Sequence, residues 1–139
     1  MKARPAMMLV TAIALQPLPL FAHTAKLPVA QPVALAADEL PMTARFASLV
    51  TTYRNCVLLQ VDKGALASHG EMADRAMSAC ALSRHEVESQ LVADIEAEHP
   101  KLAPAVATRS AQGGMDQIDP MIESAALERA HARYARDMD

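Results

Sequence analysis

Cys56 and Cys80 are the only cysteines in this 139-residue chain, and the residue midway between them is Ser68. Ser68 opens the run Ser68-His69-Gly70-Glu71. A Ser followed three residues later by Glu is a capping box, the signature of a helix start. Apolar residues recur at helical spacing on both sides of it. Each cysteine lies 12 residues from Ser68, about 18 Å along a helix at 1.5 Å per residue. An antiparallel hairpin that turns at Ser68 therefore brings both sulfurs to the same height. The same register sets Leu49 beside Val87, Phe46 near Leu91 and Met42 near Ile95, so the apolar stripes meet where the cysteines do.

The first arm is read from Met42, Phe46, Leu49, Val50, Tyr53, Val57 and Val61, whose steps of three and four are helical. Pro41 suits a first turn, and Asp38-Glu39 places negative charge at the positive pole. This arm is expected over 41–67. The second carries Ala73, Ala76, Met77, Cys80, Val87, Leu91 and Ile95 on one stripe and is expected over 70–98. His99-Pro100 ends it, because a residue before Pro avoids the α region. Two helices have a stripe to bury and need a cover. Asp119-Pro120 reads as an N-cap followed by Pro at the first helical position, which predicts a helix over 119–136. A shorter helix over 104–112 is expected between Pro104 and Gly113-Gly114. The composition agrees. Only 4 Gly and 3% aromatic residues, beside 52% hydrophobic residues, argue against an all-β fold. The expected fold is all-α: a disulfide-stapled antiparallel helical hairpin covered by a C-terminal helix, with three to four helices in one domain over 41–139.

The N-terminal stretch reads as an export signal. Lys2 and Arg4 precede the apolar run Ala6–Leu15, and Pro17 and Pro19 break it. A secretory core needs about 7–15 apolar residues, whereas a spanning helix needs about 20. Residues 1–25 are expected to be removed after Ala22 or Ala25. Residues 26–40, rich in Pro and Ala, read as a flexible leader. Cleavage leaves 11 basic and 16 acidic residues, a net charge of -5. Such a mixed acidic surface does not suit nucleic acid or an anionic membrane. No second apolar run of spanning length follows, so no membrane span is expected in the mature chain. In the oxidising compartment that export implies, two cysteines are expected to pair.

The chemistry-bearing residues form no recognised constellation. Glu96-x-x-His99 and Glu128-x-x-His131 match the Glu-x-x-His element of di-iron bundles. That site also needs an inward carboxylate from each of two further helices, and the first arm has none between Arg45 and Gln60. His69 and Met72, three residues apart at the turn, are soft-metal ligand types without a partner motif. His69, Met72, Glu96, His99, Glu128 and His131 are thus the candidate metal ligands, and none is assigned. His85 and Glu88 resemble a base and its orienter, yet the only nearby hydroxyls are Ser83 and Ser89. Asn55, a poor mid-helix residue, is expected to bond across to another helix, and Arg84 to reach a carboxylate on the last one. No Gly-x-Ser-x-Gly, His-Glu-x-x-His or phosphate loop occurs. The sequence therefore points to a non-enzymatic periplasmic or secreted protein. It is expected to act through contacts with another envelope protein, with no catalytic residue and no cofactor, and with a homodimer as one way to cover the hairpin. The rival reading is a metal or small-ligand carrier using Met and His side chains.

Overall fold

A computed structural model describes residues 34–36 and 39–138. The export signal, its cleavage after Ala22 or Ala25 and most of the leader lie outside the described residues. Four helices follow in order: α1 (Ala44–Lys63), α2 (His69–Ala79), α3 (Ala81–Glu98) and α4 (Pro104–Met138). All regular structure among the described residues is helical, and no helix there is long and apolar enough to cross a membrane. The all-α hairpin with its C-terminal cover is the observed fold.

Capping chemistry sets the helix ends. Thr43, not Pro41, begins α1: its Oγ1 accepts from the Phe46 N–H at 3.1 Å and donates to Asp94 Oδ2 at 2.6 Å. That second bond joins the start of α1 to the end of α3, one step from the register the cysteines require. The helix stops at Gly64, which is extended, and does not run on to Ala67. The capping box at Ser68 is present in both halves, so α2 begins at His69. The expected second arm is divided at Cys80, whose φ of -101° and ψ of 18° leave the helical region. Its N–H is shared between the carbonyls of Ala76 and Met77, so the break costs no donor. Cys56 and Cys80 are joined, with Cα atoms 6.1 Å apart. This cross-link ties the middle of α1 to the α2–α3 junction.

The largest departure from expectation is α4. Instead of two helices over 104–112 and 119–136, it is one rod of 35 residues, about 50 Å long at 1.5 Å per residue. Gly113-Gly114 does not stop it. A Cβ built on Gly114 would lie 2.7 Å from Leu91 Cδ2 and 2.8 Å from Leu40 Cδ1. This glycine therefore permits close approach between rods rather than a turn. Pro120 lies inside the helix. It removes one backbone N–H and crowds the carbonyl four residues before it, at a cost of about 3 kcal/mol. Burial of Ile122, Ala126 and Ala130 beyond it carries the helix through. Asp119 is consequently no N-cap, and its carboxylate is used across the bundle.

The architecture is a three-rod bundle in which α2 and α3 together form the middle rod. They run antiparallel to α1 and to α4. The core comprises Phe46, Tyr53, Val57 and Val61 of α1, Met72, Ala73 and Ala76 of α2, and Val87, Leu91 and Ile95 of α3. From α4 it takes Ala107, Ala111, Met115, Ile122, Ala126 and Ala130. Alanine at four of those α4 positions lets the rods approach closely. Met42, expected near Ile95 in the core, is instead 75% exposed. It precedes the Thr43 cap, so the helical period does not place it. The expected leader is also tied down at its end. Leu35 and Leu40 pack on the core, and the Leu35 N–H donates to Ser110 Oγ at 2.8 Å. The helical unit thus starts before residue 41.

The cross-link closes a loop of about 25 residues, worth about 3.5 kcal/mol in the chain-entropy account. Reduction, or the Cys56→Ala/Cys80→Ala double variant, is expected to lower unfolding free energy by that order in urea titrations. Mass spectrometry of the non-reduced chain is expected to find no alkylatable thiol. At exposed Gly113 an added Cβ meets nothing within 4 Å. Gly113→Ala is therefore expected to raise stability by about 0.5–1 kcal/mol, as a mid-helix glycine replacement does.

Candidate functional site

Three places on the bundle bring chemistry-bearing or unpartnered side chains together. The first is a polar clamp at mid-height. Asp119 of α4 accepts from Arg84 of α3, with Nε at 2.8 Å and Nη2 at 2.7 Å from Oδ2. Its Oδ1 accepts from the Tyr53 hydroxyl of α1 at 3.2 Å, and that oxygen also lies 3.6 Å from Met77 Sδ. Arg84 further pairs with Glu88 at 3.4 Å. Tyr53 is fully buried. Burial, and then the facing Asp119 charge and hydrogen bond, push its phenol up to about 12, while Arg84 opposes the shift. The hydrogen bond to Asp119 likewise raises the Arg84 guanidinium above its ordinary value. The expected reach of Arg84 to a carboxylate on the last helix is realised here. The clamp joins all three rods, with both Asp119 oxygens, the Tyr53 hydroxyl and the Arg84 guanidinium bonded within it, so it holds the fold.

The second place is an open apolar groove of about 390 Å³ between α1 and α4. Met42, Phe46 and Val50 line one wall at four-residue steps, with Arg54 one turn on. Gly114, Ile118 and Ile122 line the other at the same spacing, with Leu40 and Leu91 at its base. Met42 and Met121, at 75% and 72% exposure, stand at its rim. Within α1 the wall from Phe46 to Arg54 is about 12 Å long at 1.5 Å per residue, and Met42 extends it beyond the helix start. Arg54 is the one charged residue in its lining.

The third place is the far end of the bundle. His69 begins α2, and its ring lies 5.0 Å from that of His131 and 5.3 Å from that of Tyr134, both on α4. Nearby, Arg129 grips Asp62 through two bonds of 2.8 and 2.7 Å, a contact that holds the Asp62 carboxyl below the usual range. Arg133 donates to the Val61 carbonyl and lies 3.6 Å from Asp137.

The candidate ligands read from the sequence are thus dispersed, with one exception. His69 and His131, from opposite ends of the reading, are neighbours. Met72 is a core side chain, 3% exposed. Glu96 and Glu128 are exposed, on α3 and α4. His99 caps the end of α3, at the opposite end of the bundle from His131, and its Nε2 has no hydrogen-bond partner. The two Glu-x-x-His elements therefore do not converge, because α3 and α4 are antiparallel. Among the described residues no group of three or more His, Cys, Asp or Glu side chains is placed to hold a metal ion. His85 and Glu88 do not pair: Glu88 faces Arg84, and His85 lies 3.5 Å from Ser89 Oγ. Asn55 is exposed and does not reach into the bundle. The groove was not legible in sequence. Its one signal is Met121, which falls outside the apolar stripes; Met42 belongs to the stripe by period, and only the structure places it at the rim.

Asp119→Ala leaves Tyr53 and Arg84 without their shared acceptor. It is expected to cost about 1–3 kcal/mol, as loss of one partner of a buried hydrogen bond does, measured by chemical denaturation. Because the folded phenol of Tyr53 titrates above its unfolded value, its contribution is complete below pH 10. That contribution is lost as the pH rises from 10 towards 12. In a Tyr134→Phe background, phenolate absorbance is expected to appear near pH 12 in the folded chain and near 10 after unfolding.

No family model, curated protein or solved structure matches this chain.

Proposed function

We propose that this chain is a non-enzymatic protein of the periplasm or the secreted space. It acts through contact with another envelope protein, and the groove between α1 and α4 is the contact surface. The observation that carries this reading is an apolar trough bordered by two exposed methionines. Unbranched, polarisable methionine side chains adapt to varied apolar partners. A helical wall of about 12 Å accommodates roughly two turns of an amphipathic helix, which docks through anchors at four-residue steps. Arg54 in the lining favours an occupant with a carboxylate near one end. Export rests on the sequence pattern of residues 1–25, and the Cys56–Cys80 bond is consistent with an oxidising compartment.

A second reading uses the same groove. Its volume of about 390 Å³ falls within the range of roughly 300–1,000 Å³ typical of small-ligand pockets, so carriage of an apolar small molecule is the alternative.

One experiment separates them. A photo-crosslinking residue at position 42 or 121 is expected to give a discrete protein adduct in exporting cells. One at Leu82, an exposed apolar site on α3, is expected to give none. Val50→Asp, introduced into the groove wall, is expected to abolish the adduct. Equal labelling from all three positions, or none, refutes the contact reading. Saturable binding of an apolar dye to the purified chain, lost in Val50→Asp, in the absence of any adduct supports carriage instead.

A further inference from the structure

We infer that His69 and His131 form a binding site for a single divalent first-row transition-metal ion, Cu²⁺ foremost. The fold brings together two imidazoles that lie 62 positions apart in the sequence. One sits on the first residue of α2 and the other near the end of α4, with ring centres 5.0 Å apart. That separation fits a shared ion. Metal–nitrogen bonds are about 2.0–2.1 Å, and the ring centre lies roughly 1.1 Å behind the nitrogen. Two imidazoles at an angle between the 90° of tetragonal Cu²⁺ and the tetrahedral angle then have centres roughly 4.5–5 Å apart. The planes are nearly perpendicular, at 83°. His131 is exposed, and its terminal torsion is broad enough to turn a ring nitrogen towards the shared point. Tyr134 packs edge-on against His69, with centres 5.3 Å apart, and holds that ring in place.

The surrounding charges permit a cation. His69 lies at the positive pole of α2, but the Glu71 carboxylate, in the same turn, accepts from the Ser68 hydroxyl and N–H there. The two arginines that flank His131 are committed elsewhere: Arg129 to Asp62, and Arg133 to the Val61 carbonyl and Asp137. An open recess lined by Leu66, Ala67, Ser68, His69, Tyr134 and Met138 gives solvent access to His69, and His131 is itself exposed. Water completes the coordination, so affinity is lower than in a closed four-ligand site. Imidazole suits Cu²⁺, Ni²⁺ and Zn²⁺, and Cu²⁺ stands highest in the affinity order. The ion bridges the start of α2 to the last turns of α4, and its binding stabilises that junction.

The test is calorimetric titration of the tag-free chain with CuCl₂ and with ZnCl₂. A His23→Ala background removes a histidine that lies outside the described residues. One equivalent of Cu²⁺ is expected to bind more tightly than Zn²⁺ and to raise Tm by a few degrees. His69→Ala and His131→Ala are each expected to weaken binding at least tenfold. His85→Ala, on α3, is expected to leave it unchanged. Both ligand positions are at the surface end of the bundle, and circular dichroism checks that each variant is folded. Nitrogen hyperfine structure in the Cu²⁺ paramagnetic resonance spectrum, reduced in either variant, gives a readout independent of affinity. Absence of binding, binding that survives His69→Ala or His131→Ala, or an equal loss in His85→Ala overturns the site.

Discussion

One covalent bond fixes the register from which the rest of this bundle follows. Cys56 faces Cys80 because the turn at Ser68 lies midway between them, and the bond holds α1 level with the α2–α3 junction. A chain with 3% aromatic residues has few large side chains to lock helices at one relative height. Alanines on α4 slide past one another more easily than interlocking Leu or Phe would. The cross-link removes that freedom for the first two rods. The Asp119 clamp then does for α4 what the disulfide does for the hairpin, since Tyr53 and Arg84 lie on the two rods that are already aligned.

The hairpin was legible in the sequence because three independent signals agree: cysteine spacing, the capping box and the helical period. Thr43 bonded to Asp94 shows the register carried to the far end of the arms. The course of α4 was not legible, and the reason is physical. Gly-Gly and Asp-Pro are helix punctuation when only local propensity is weighed. Here Gly114 answers to Leu91 and Leu40, and Asp119 answers to Arg84 and Tyr53, partners distant in sequence. Tertiary contacts overrode both signals. The division at Cys80 was hidden for a related reason, since Val87 follows Cys80 by seven residues, two helical turns, and keeps the stripe on one face. Of the candidate site, each histidine was identifiable by type, yet the pairing of His69 with His131 depends on α4 being one continuous helix.

That continuity also gives the molecule its division of labour. A single 35-residue helix contributes Gly114, Ile118 and Ile122 to the groove, Asp119 to the clamp, and His131 and Tyr134 to the far end. Polar demands are met in the middle, where Asp119, Tyr53 and Arg84 bond to one another. The unpartnered apolar surface and the imidazole pair are left to opposite ends. Such separation allows an apolar surface and a nitrogen-ligand site to coexist without either being buried against the other.

Pro120 directly follows Asp119, so the rung missing from α4 lies beside the clamp and within the groove wall that runs from Gly114 to Ile122. A helix lacking one rung bends there more readily than elsewhere along its length. The part of α4 that bears Ile118 and the part that bears His131 therefore meet at its most yielding point. The bending is restrained on one side by the Asp119 carboxylate. The two rods aligned by the disulfide thus reach α4 beside its weakest backbone position, through the contacts of Asp119 with Arg84 and Tyr53.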